Sequence, residues 1–106
     1  MVHQLNESDN NRTISIRTGE KLRITLPENA TTGFRWEIER CDRELVGVVA
    51  EEPRYHSGKV GSGGHVEFVF QGRSVGVCEI VLKHWRSWEG EASVIARYHL
   101  HVNVLQ

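Results

Sequence analysis

Apolar and polar residues alternate along most of this chain. Leu22, Ile24 and Leu26 are interleaved with Lys21, Arg23 and Thr25, and Trp36 and Ile38 with Arg35, Glu37 and Glu39. Period two means a strand with one face buried. The same pattern predicts strands over residues 13–17, 21–26, 34–40, 65–71 (Val66, Phe68, Phe70 inward), 77–84 (Cys78, Ile80, Leu82 inward) and 92–105 (Val94 to Val104 in alternation). Pro27 is expected to end the second strand, since proline cannot donate to a ladder. Residues 44–50 read as a short strand or extended connection, and Pro53 confines 51–56 to a sheet edge or a loop. No stretch sustains a helical period. Six or seven short strands in 106 residues predict one domain, an all-β, immunoglobulin-like antiparallel sandwich with Trp36 in its core. Residues 1–12 lack periodicity over 6–12 and are expected to be a mobile tail ahead of a domain at 13–106.

Composition narrows the function classes. A net charge of −1 offers no basic excess for nucleic acid. No apolar run approaches a membrane span, and residues 1–6 do not resemble a signal peptide. As it stands the chain is expected to be cytoplasmic, or periplasmic or secreted if it is a processed form, and monomeric. Cys78 is in phase with inward residues and Cys41 with Glu37 and Glu39, so the two are expected on opposite faces as free thiols, Cys78 as a small core hydrophobe.

Three loops interrupt the strands: Asn29-Ala30-Thr31-Thr32-Gly33-Phe34, Gly61-Ser62-Gly63-Gly64 and Trp85-Arg86-Ser87-Trp88. Gly33 can take the positive φ that lets the chain re-enter the sheet. In immunoglobulin-type order the first and third loops share one end of the sandwich. The glycine loop is expected to need to reach along the side to join them. Thr31 and Thr32 have no adjacent activating base, so they read as turn hydroxyls or contact residues rather than nucleophiles. The glycine loop lacks the following helix and Lys-Ser/Thr of a phosphate cradle and reads as a connector, or as backbone exposed for pairing with an extended partner. Of the loop tryptophans, Trp85 is expected to fold back onto the sandwich. Trp88, beside Arg86, reads as a binding contact. His99 and His101 share the outward face of the last strand without a cysteine or carboxylate nearby in sequence and read as a solvated face, so no metal site and no cofactor are expected. Asn6, Asn11 and Asn29 begin Asn-x-Ser/Thr sequons that read as chance matches.

Taken together and in order, these loops resemble the chagasin-type inhibitors of papain-family cysteine proteases, which carry an Asn-Pro-Thr-Thr-Gly-aromatic loop, a Gly-x-Gly-Gly loop and an Arg-Pro-Trp loop. The resemblance runs from about Thr13 to Val104. It implies an immunoglobulin-like scaffold whose loops fill the protease cleft reversibly and competitively. By the same resemblance, Asn29, Thr31, Thr32, Gly33 and Phe34 form the central loop, with Thr31 and Thr32 over the catalytic cysteine and histidine. Val60, Gly61, Gly63 and Gly64 would pair beside the non-primed channel, and Arg86 and Trp88 would cover the primed side. Ala30 and Ser87 stand where the family has proline, which implies looser binding, because proline lowers the ordering cost of a loop. The competing expectation is a sandwich module that binds a carbohydrate or cell-surface protein through the same loops. No paired carboxylates, triad or metal constellation points to an enzyme.

Overall fold

The computed structural model describes residues 2–28, 30–54 and 64–106. Eight strands form two four-stranded sheets. One holds β1 (Val2–Leu5), β3 (Lys21–Glu28), β6 (Gly64–Gly72) and β5 (Val46–Arg54) in the order β1-β3-β6-β5. The other holds β2 (Arg12–Arg17), β8 (Ala96–Leu105), β7 (Gly76–Trp85) and β4 (Arg35–Arg40) in the order β2-β8-β7-β4. The inward positions named by alternation meet in a single core: Leu22, Ile24, Leu26, Val66, Phe68 and Phe70 from the first sheet, and Ile16, Ile80, Leu82, Tyr98, Leu100, Val102 and Val104 from the second. Burying these side chains is the main force closing the sandwich.

Besides a last strand that begins only at Ala96, after a 3-10 turn at Glu91–Ser93, four details differ from the sequence expectation. The stretch expected to be a tail is built into the fold. β1 pairs in parallel with β3, Leu5 is in the core, and a 3-10 helix at Glu7–Asp9 carries the chain across to the other sheet, where β2 pairs in parallel with β8. The architecture is therefore not purely antiparallel. Asn6 caps that helix, its side chain accepting from Ser8 N while Asp9 accepts from Asn6 N, both at 2.9 Å. Periodicity fails over these residues because they form a crossover. The Tyr98 hydroxyl donates to Asn6 O at 3.0 Å and pins the crossover from within.

Second, Pro27 lies inside β3. β1 pairs only as far as Ile24, so β3 has no partner strand on that side at Pro27, where the missing N–H costs nothing. Third, residues 46–54 form one continuous strand. It is the outer strand of its sheet, which accommodates Pro53. Fourth, Cys41 turns inward. A bulge between Ile38 and Arg40 adds a residue to β4 and shifts the phase, so Glu39 and Arg40 both face out and Cys41 packs on the core, as does Cys78. Both thiols are free, and burial pushes Cys78 up to about 11. Trp36 is half-buried at the margin of the core.

Candidate functional site

The ladders bring the loops to one end. β3 runs into the first loop at Glu28, and Glu28 stands opposite Gly64, the first residue of β6. β5 pairs antiparallel with β6 up to Arg54 opposite His65, so the connection between them begins and ends at that same end. The expectation that the glycine loop must reach along the side is thus corrected: plain antiparallel order places its base there. Of its residues only Gly64 is described. Val60, Gly61, Gly63 and, in the first loop, Asn29 lie outside the described residues.

The first and third loops are locked together. Residues Ala30–Thr32 form one 3-10 turn and Ser87–Glu89 another. The Arg86 guanidinium donates to Thr32 O through Nε at 3.1 Å and Nη2 at 2.9 Å. Its Nη1 meets Glu89 at 3.3 Å, and its plane lies 4.3 Å from the centre of the Phe34 ring. A planar, multi-donor group is needed to make these contacts at once, which a lysine cannot do. Gly33 has φ +78°, and a Cβ built there would lie 2.8 Å from Trp88 Cη2. The indole therefore rests on the Gly33 backbone, yet Trp88 remains 70% exposed. Thr31 and Thr32 are exposed beside it, with Phe34 N donating to Thr32 Oγ1 at 3.3 Å. Arg86 is thus a strut of the rim, and Trp88, Thr31 and Thr32 are its outward face.

Beneath the rim are two residues that the sequence reading passed over. Glu28 is 3% exposed and accepts from Trp36 N at 2.8 Å, while the Trp36 indole donates to Pro27 O at 2.9 Å. His84 stacks on Trp36 with ring centres 4.7 Å apart and meets Phe34 edge-on at 5.8 Å. A signal existed for both. Glu28 continues the inward series Leu22, Ile24, Leu26, and His84 continues Ile80, Leu82, so each is a polar residue in a core register, where burial demands a partner. Trp85 does fold back. Its indole donates to Glu37 at 2.8 Å, and Lys83 Nζ sits 3.4 Å from the ring centre. His99 and His101 lie on the outer face around Glu79, 3.6 and 3.8 Å from its carboxylate. Among the described residues no three metal-ligating side chains form a group that would hold an ion.

Residues 15–102 match the family model described as Chagasin family peptidase inhibitor I42. The chain belongs to the chagasin family. Amoebiasin-1 of Entamoeba histolytica is 35% identical over 91 residues, 84% of this chain and 87% of that one. The crystal structure of the cysteine protease inhibitor EhICP2 from Entamoeba histolytica superposes with a TM-score of 0.84 at 21% identity, covering 97% of this chain and 94% of that one. The structure of PbICP-C in complex with falcipain-2 aligns with a TM-score of 0.70 at 20% identity, covering 98% and 91%. These last two likenesses show the fold; the family rests on the sequence matches. It is a family of peptidase inhibitors, not of enzymes.

Proposed function

We propose that this chagasin-family chain inhibits papain-like cysteine peptidases reversibly and competitively, its three loops filling the active-site cleft. The observation that carries the reading is the clamped rim: Arg86 tying Thr32 and Trp88 resting on Gly33 give two sequence-distant loops one rigid outward shape. Rigidity matters because association must offset the cost of ordering loops and side chains. Thr31 and Thr32 enter the cleft above the peptidase's cysteine and histidine. Trp88 covers the primed side as an exposed aromatic of the kind that dominates interface energetics. The connection ending at Gly64 lies along the non-primed side and pairs through its backbone. The wedge blocks the nucleophile without presenting a scissile bond. Membership of an inhibitor family supports this reading over a carbohydrate-binding module, for which no observation speaks.

The test is titration of papain with the purified protein at fixed substrate. Competitive inhibition is expected, with the Thr31→Ala/Trp88→Ala double variant at least about thirtyfold weaker, as loss of a hot spot worth about 2 kcal/mol requires. Its melting temperature should match that of the parent. Absence of inhibition by the folded parent would refute the proposal.

A further inference from the structure

His84 is half-buried beneath the rim. Its Nε2 is buried and has no hydrogen-bond partner among the described residues. The ring stacks on the Trp36 indole, nearly parallel at 9°, and makes a T-shaped contact with Phe34. Its own backbone carbonyl accepts from Ile95 N at 2.9 Å, which fixes it to the exit of the third loop. His84 thus touches the residue that ends the first loop, the tryptophan beneath it and the strand leaving the third.

We infer that His84 is a positioning residue for the Thr31–Phe34 rim, holding it in the inhibitory shape only while the imidazole is uncharged, so that inhibition weakens on acidification. The inference rests on the inhibitor reading above. Protonation would leave a hydrogen on the buried Nε2 with no acceptor among the described residues and would hold a charge away from water. The charged surroundings are few. From β3, Glu28 favours the imidazolium, as do the Phe34 backbone and the face of the Trp36 ring. From the third loop, Arg86 already lies on the Phe34 ring. Glu37 and Lys83 are one residue out of phase with Trp36 and His84 and belong to the opposite face of the sheet, around Trp85. Ala96 stands opposite His84 on β8 and brings no charge. Burial outweighs these attractions and holds His84 below its ordinary value of 6.5. A histidine held low stabilises its native arrangement above that ordinary value and stops doing so as pH falls below it.

The experiment measures the inhibition constant of the parent and of His84→Phe against the same papain at pH 7.5 and 5.0. Taking the ratio of the two constants at each pH cancels the peptidase's own titration. The ratio of parent to variant should rise by at least about fivefold at the lower pH, because only the parent has an imidazole to charge. A ratio that stays flat while both proteins inhibit overturns the inference and leaves the inhibitor reading standing. Loss of inhibition by both proteins at both pH values overturns the two together. If His84→Phe does not fold, the amide resonances of Gly33 and Phe34 in the unaltered protein decide. They should titrate together with a midpoint below 6.5, and resonances that do not move between pH 7.5 and 5.0 overturn the inference.

Discussion

The two ends of the sandwich are held by different chemistry. At the end away from the rim, main chain bonds main chain: Thr18 N to Leu105 O and Gly19 N to Gly72 O at 2.8 Å, Gly72 N to Glu20 O at 3.0 Å, and Arg73 N to Leu45 O at 2.7 Å. At the rim, among the described residues, the first and third loops share no main-chain-to-main-chain bond. Side chains join them instead: Arg86 to the Thr32 carbonyl, Trp88 to Gly33, and His84 to Phe34 from below. A main-chain weld is indifferent to which side chains surround it. A side-chain clamp can be retuned or broken by one substitution, so the rim, the end proposed to bind, is the sequence-sensitive one.

The strongest break of that contrast is Gly33→Ala. A residue with a Cβ is strained in the left-handed region by about 1–2 kcal/mol, and the new atom would displace the Trp88 ring from its seat. The inhibition constant for papain should rise about ten- to hundredfold. The melting temperature should fall by about 4–15 °C, the equivalent of that strain, while the core stays intact. An unchanged constant would show that the Gly33–Trp88 contact does not shape the binding surface.

A gain should follow from stiffening the same end. Ala30 and Ser87 each occupy the first position of a 3-10 turn, where a proline's fixed φ and missing N–H are tolerated. Ala30→Pro with Ser87→Pro should tighten inhibition about four- to thirtyfold, on about 0.4–1 kcal/mol per site. If titration of papain gives the parent's constant, the rim is already as ordered as proline would make it.

The smallest effect belongs to the far end. Gln71 Nε2 donates to Gly19 O at 3.0 Å across the welded turn. Gln71→Ala should leave the inhibition constant within about twofold and denaturant stability within about 0.5 kcal/mol, because the main-chain bonds remain. A larger loss of inhibition would mean that the two ends communicate, and the contrast drawn above would fail.

Much of this protein could be read from residue order, because alternation records which side chains face the core. The strands from Leu22 to Leu26, His65 to Gln71 and Val77 to His84 were legible for that reason. So were the loops, whose residues are small, polar or aromatic where the period breaks, and the three motifs in order pointed to the family. What residue order did not show is phase and connection. A bulge after Ile38 turned Cys41 inward, and a crossover gave structure to an aperiodic amino-terminal stretch. Antiparallel pairing of β3 with β6 placed Gly64 beside Glu28. The clamp itself was decided only by tertiary structure: Arg86 and Thr32 are distant in sequence, and no local pattern records that a guanidinium will spend its donors on a remote carbonyl. Local periodicity encodes burial, while partnership between loops depends on where separate strands end in space.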